Sequence, residues 1–293
     1  DIMPFNIELL PKSKLPVYSW NNLWKNTKTS TIKKDNQSIN FKIKNINHIY
    51  PKSGWYFLNN INVRLLIRVD KESIQKNVGH YNQDLFHLNI LLNEIPFLIS
   101  LGRLNYNSKD ILGKSGIFSK AHNTILINDL PYLPNNTNYF PKEYCQSENN
   151  VKFNKDINEL IISSNCFKRV NNLIVVKRKI KLKDEYIGIQ DIIEGSKAFT
   201  VSRYFYFHNK FILNSNKLLN KNERVLEFLH NSTIVSFEIY GDNISDIEIS
   251  LLNDNKEVYS YGKYKLCTGI KLKNTKTLPI LYNIKIRQKI CVE

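Results

Sequence analysis

Gly79-His80-Tyr81-Asn82-Gln83-Asp84 runs straight into Leu85-Phe86-His87-Leu88-Asn89-Ile90-Leu91-Leu92, and the second stretch decides the fold class. Side chains alternate across a strand, so Phe86, Leu88, Ile90 and Leu92 share one face while Leu85, His87, Asn89 and Leu91 share the other. The first set reads as core. His87 falls on the more polar face, where it reads either as structural or as weakly facing a substrate. Just upstream, His80 follows a glycine hinge at the mouth of the strand. An imidazole placed there projects out of the sheet and can act as acid, base or ligand near neutral pH.

Working outward, short alternating runs rich in β-branched and aromatic residues recur at 39–46, 55–58, 63–69, 97–99 and 124–127. They continue at 173–182, 186–192, 198–207, 225–228, 233–240, 247–252, 257–261, 264–272 and 280–287. Gly241-Asp242-Asn243 and Asn253-Asp254-Asn255 supply residues that tolerate the positive φ of tight hairpins. The expected architecture is therefore all-β, a large antiparallel β-sandwich. Residues 154–163 are the best candidate for a short helix, and the Pro-, Asn- and Tyr-rich stretch 131–150 reads as a flap. Residues 1–37, with Pro4, Pro11, Pro16 and a polar run at 26–36, read as a connector, leaving 38–293 as the sandwich domain. Lys177 with Arg178, and the run Tyr204-Phe205-Tyr206-Phe207, read as ordinary strand faces.

The 293 residues carry a formal net charge of +16, which favours encounter with polyanions, although the lysines are spread along the chain as an AT-rich coding bias also predicts. No zinc-finger, RNA-recognition or helix-turn-helix signature accompanies the charge, so nucleic acid is not the expected partner. Cys145, Cys166, Cys267 and Cys291 form no Cys-x-x-Cys pair and read as free thiols. No run approaches the ~20 apolar residues of a membrane-spanning helix, and the first residues lack a secretion-signal pattern.

The order of landmarks resembles the C-terminal β-sandwich domain of the heparinase II/III-like polysaccharide lyases. In that family a Gly-His-x-His-x-Asp strand start precedes a hydrophobic strand, an Asp-Pro-Gly-like turn with a following Tyr, and a His-Asn-Thr strand. Here the same order reads Gly79-His80-Tyr81-Asn82-Gln83-Asp84, then Phe97-Leu98-Ile99-Ser100-Leu101-Gly102-Arg103-Leu104-Asn105-Tyr106, then Ala121-His122-Asn123-Thr124. Weaker echoes flank it at Ser53-Gly54-Trp55-Tyr56 and Ile189-Gln190-Asp191-Ile192, so the resemblance covers about the middle two-thirds of the chain.

The resemblance implies a supersandwich-like domain without the family's N-terminal α/α toroid, which would be a partner within the parent protein. It implies β-elimination on an acidic, uronate-containing polysaccharide, with His80 as the catalytic residue in a cleft shared with the toroid. It also implies a periplasmic or extracellular parent. Asn82, Asp84 and Arg103 are substrate-binding candidates beside it. Asp84 alternatively orients a histidine or caps a turn, and Arg103 either pairs with a sugar carboxylate or is a solvated turn residue. Some family members hold a structural zinc at positions that match Asn82, Ser100 and His122 here. Only His122 retains a ligand type, so neither zinc nor another cofactor is expected, and His122 is read as hydrogen-bonding near Asn82 and Ser100. The contrasting reading is a non-catalytic carbohydrate-binding or surface-polysaccharide assembly module.

Overall fold

The computed structural model of the protein describes residues 47–69, 82–105, 116, 118–134, 142–241 and 244–290. The connector at 1–37, its boundary at 38, the run 39–46 and His80 lie outside the described residues. Strands β1 (His48–Tyr50), β2 (Trp55–Asn59), β3 (Val63–Arg68), β4 (Leu88–Leu92) and β5 (Ile95–Leu98) form an antiparallel sheet in chain order. Next come β6 (Ile125–Ile127), a one-turn helix α1 (Lys142–Cys145), β7 (Asn149–Asn154), β8 (Glu159–Ser164), β9 (Val175–Leu182) and β10 (Ile187–Glu194). The rest is β11 (Ala198–Tyr206), β12 (Ile212–Asn220), β13 (Glu223–His230), β14 (Thr233–Tyr240), β15 (Glu248–Ser260), β16 (Lys263–Thr277) and β17 (Ile280–Ile290).

An eight-stranded sheet has the order β12-β13-β14-β17-β10-β9-β8-β7, and a four-stranded sheet the order β15-β16-β11-β6. All pairings are antiparallel. Alternation decides which side of each strand is buried. On β11, Phe199, Val201 and Phe205 enter the main core, and Phe205 meets Phe237 of β14 edge-on at 5.2 Å. Tyr204 and Tyr206 point the other way, into a small satellite cluster with Ile99, Leu126 and Cys267. Phe97 of β5 packs edge-on against Phe228 of β13 at 5.6 Å, so one apolar core joins the three sheets. No described helix is long and apolar enough to cross a membrane.

Four local expectations are corrected. Residues 154–163 are not helical but form the β7–β8 hairpin, whose turn uses Asn158 at φ +50°. Asn253-Asp254-Asn255 is not a turn between strands: β16 pairs with both halves of β15, and the three residues form a bulge with Asp254 at φ +61°. The strand expected at 85–92 starts only at Leu88, because Phe86 takes φ +68° and breaks the alternation. Finally, β12 had no counterpart in the sequence reading; it is a sheet edge whose residues are mostly exposed.

Candidate functional site

Two short segments quoted from the sequence, 82–87 and 121–124, meet at the end of β4 and are stapled by their own side chains. The Asn123 side chain donates to the carbonyls of Leu88 at 2.9 Å and Ile99 at 3.1 Å, and accepts the Tyr206 amide at 2.8 Å. Its own amide donates to His87 Nδ1 at 3.1 Å, and Thr124 Oγ1 donates to the Leu85 carbonyl at 2.6 Å. One buried side-chain amide thus joins β4, the segment after β5 and β11. Gln83, 4 % exposed, accepts from the Ser119 amide and hydroxyl at 3.2 Å each.

Arg178, read from the sequence as part of an ordinary strand face, is a fully buried clamp. Its guanidinium meets Asp191 two-pronged at 2.6 and 2.8 Å, then donates to the carbonyls of Phe86 at 2.5 Å and Asn123 at 2.9 Å. That bond holds Phe86, a bulky residue, in the left-handed region it would otherwise avoid. Arg203 approaches the same carboxylate at 3.6 Å and stacks over the Tyr282 ring, 3.5 Å from its centroid. The interior therefore holds two guanidinium groups against one carboxylate.

His87 is buried, not on an open polar face, and its ring lies edge-on to His122 with centroids 5.4 Å apart. Burial pushes the His87 pKa down to about 4; a hydrogen bond with Asn89 opposes this in part, and the charge of Arg178 adds to it. Burial, with the charge of His87 behind it, also holds His122 well below the ordinary histidine range. His122 Nδ1 shares a 2.8 Å hydrogen bond with the Ser100 hydroxyl, whereas Asn82 is exposed. A structural zinc does not fit this donor set, since Asn82, Ser100 and His122 offer a single imidazole, and that imidazole's Nδ1 is engaged. Among the described residues no group of three or more His, Cys, Asp or Glu side chains gathers elsewhere.

Beside these staples a cavity of about 580 Å³ opens on the side of β11 that carries Tyr206, lined by Gln83, Ser119, Lys120, Tyr206, Asn255 and Lys256 among others. The β15 bulge supplies Asp254 and Asn255 to its wall. Next to it the segment after β5 also lines the cavity, and there Gly102 at φ +76° lies so close to Val258 of β15 that a side chain would meet its Cβ at 3.2 Å. Tyr206 is fixed by a short hydrogen bond from its hydroxyl to the Lys120 carbonyl. Of the sequence candidates, Asn82 and half-buried Asp84 sit at the motif next to Gln83, and half-buried Arg103 follows the cavity-lining Gly102, with Nε donating to the Asn105 carbonyl at 3.0 Å. Sequence reasoning missed Gln83, Lys120, Tyr206 and Lys256. Only Gln83 had a local signal, its place inside the quoted motif.

The sequence profile of the heparinase II/III-like C-terminal domain matches residues 46–267. No curated protein matches the chain significantly. A heparinase III gene product with methylated lysines superposes with a TM-score of 0.66 at 13% identity, over 84% of this chain and 36% of its own. A heparan sulfate lyase HepC mutant from Pedobacter heparinus gives 0.64 at 11% identity, over 88% of this chain and 38% of its own. A further heparinase III structure gives 0.61 at 12%, with 85% and 37% covered. At such identities the likeness is one of fold, and the chain spans only 36–38% of the length of these structures. The profile match, which runs through both stapled segments and most of the strands around them, nevertheless settles kinship: the chain belongs to the heparinase II/III-like family and carries its C-terminal β-sandwich domain.

Proposed function

We propose that this lyase-related domain is the β-sandwich portion of a polysaccharide lyase that cleaves uronate-containing polysaccharide by β-elimination, with His80 presented to a cleft shared with an N-terminal α/α toroid. The observation that carries the reading is the position of Gln83 on the cavity wall. Gln83 belongs to the same sequence motif as His80. Lys120 and Lys256 offer ammonium groups on the cavity wall to pair with carboxylates or sulfates, beside Asp254 and an Asp129 that is already paired with Lys271. In the elimination a base removes the C5 proton of the uronate, the C4–O4 bond breaks, and an acid protonates the leaving oxygen. Imidazole suits either transfer, because its ordinary pKa lies near neutral pH. In this reading Asn82, Asp84 and Arg103 contact substrate. Residues 1–37 serve as the connector.

In the parent protein, His80→Ala should lower formation of unsaturated uronate ends, read by ultraviolet absorbance, by ~100- to 10,000-fold while leaving the melting temperature unchanged. Equal cleavage by wild type and variant removes His80 from the mechanism. A parent protein that binds acidic polysaccharide in a salt-sensitive way without cleaving it favours the binding or assembly module instead. The replacement of two family ligand positions by Asn82 and Ser100 is the observation on that side.

A further inference from the structure

The outer face of the eight-stranded sheet has no role in that cleft. Tyr206 and the cavity lie on the side of β11 facing away from this sheet, whereas Phe205 faces toward it. The pairing register sets Lys152, Ile161, Lys179, Gln190, Asn283 and Tyr240 side by side on six successive strands, β7-β8-β9-β10-β17-β14. The next row along brings Lys181, Gly188 and Lys285 together. Lys179, Lys181, Gln190 and Lys285 alternate with buried Ile180, Ile189 and Ile284, so they project outward.

Charges at the border of this patch are neutralised: Lys177 pairs with Glu194 at 2.6 Å and Arg287 with Glu238 at 3.1 Å. Lys179, Lys181 and Lys285 have no salt bridge among the described residues, although Glu159 stands opposite Lys181 and Glu238 opposite Lys285 in the register. The Lys285 ammonium is held between two tyrosines, 5.1 Å from the Tyr186 ring centre and 4.9 Å from that of Tyr240. Gly188, between Lys181 and Lys285 in the register, lets the Tyr186 ring pack down onto the sheet, since a Cβ there would come within 3.3 Å of that ring. Gln190 Nε2 donates to Asn283 Oδ1 at 2.8 Å, which leaves the Gln190 carbonyl oxygen and the Asn283 side-chain NH2 for a ligand.

We infer that this face is a second, non-catalytic binding surface for an acidic polysaccharide, laid across the strands. The inference rests on the substrate class proposed above and extends it to a separate site. Neighbouring strands are ~4.8 Å apart, comparable to the length of one pyranose unit, so successive sugars meet successive strands. The three lysines then pair with carboxylate or sulfate groups, while the amides and tyrosine hydroxyls meet sugar hydroxyls. A nucleic acid is the poorer occupant: bases bind by stacking on free aromatic faces, and Lys285 covers those of Tyr186 and Tyr240.

The test measures binding of labelled heparin and polygalacturonate to the 293-residue chain at several salt concentrations. Lys179→Glu, Lys181→Glu and Lys285→Glu are combined in one variant. The control combines Lys197→Glu, Lys221→Glu and Lys263→Glu, exposed lysines in or next to three turns, and changes the net charge equally. The first variant should lose at least ~10-fold in affinity with a shallower salt dependence, while the control loses less than ~3-fold. If the charge reversals lower the melting temperature, Lys→Gln at the same three positions gives the reading. Equal losses in both variants, no loss in the first, no wild-type binding to either polysaccharide, or duplex DNA bound as tightly and as sensitively overturn the surface. Cleavage by the parent protein is read separately. A parent that cleaves while the first variant still binds overturns this surface and leaves the lyase reading intact; site-specific loss of binding in a parent that never cleaves does the reverse.

Discussion

At His87 burial keeps the imidazole neutral, the nearby charge of Arg178 adds to this, and Nδ1 accepts the Asn123 amide. The folded value of about 4 lies below the ordinary value of 6.5. Between these two the unfolded chain binds a proton that the folded chain refuses, so stability is full above pH 6.5 and is lost as the pH falls toward 4. The loss from His87 alone levels off at about 3 kcal/mol. His87→Asn keeps an acceptor for the Asn123 amide but cannot titrate, so urea midpoints measured from pH 7 to pH 4 should fall less steeply than in wild type. Parallel curves would remove His87 from the acid response. The structural half of the sequence reading suits this buried ring; its burial was not legible because the groups that cover it, His122 and Asn123, come from another segment. The His122–Ser100 hydrogen bond was read from the motif, whereas Asn123 and Thr124 were legible as a motif but not as staples, because their partners Leu88, Tyr206 and Leu85 belong to other segments.

Between elements, the Arg178–Asp191–Arg203 cluster ties β9 and β10 to β11 and, through Phe86 and Asn123, to the stapled segments. Breaking a buried ion pair by removing one partner costs about 3–5 kcal/mol. The two ends of this cluster are not equivalent. Arg178→Met leaves Asp191 with Arg203 beside it, whereas Asp191→Asn leaves two buried guanidinium groups facing each other. Asp191→Asn should therefore be the more destabilising in urea unfolding, and the reverse order would contradict a net-positive interior. Neither residue announced itself, since a charged residue at an inward strand position is indistinguishable in sequence from a register error. The β7–β8 hairpin failed similarly: Ile157, Leu160 and Ile161 have helical spacing, and the turn at Asn158 emerges only when Leu160 and Ile162 are buried against β9. β12 was invisible because Ile212, Leu218 and Leu219 are exposed, so no buried face imposes an alternation.

For the whole molecule, alternation along 233–240, 264–272 and 280–287 was enough to announce an all-β sandwich, since each run buries one face. Strand order was not legible, because periodicity says which side of a strand is wet and nothing about its neighbour. The least foreseeable placement is β17, which lies between β14 and β10 in the middle of the eight-stranded sheet and contributes Ile280, Ile284 and Ile286 to the core. Ending the chain at residue 279 should abolish cooperative unfolding and the near-ultraviolet dichroism of packed aromatics, and a truncated protein that still melts in a single sharp transition would show that β17 is dispensable. The same placement has a consequence for biosynthesis. While the ribosome is still adding residues beyond Thr277, β10 and β14 expose two unpaired edges to one another across a gap the width of a strand, and no earlier segment can close it. The nascent eight-stranded sheet therefore stays open at this gap until β17 has cleared the exit tunnel.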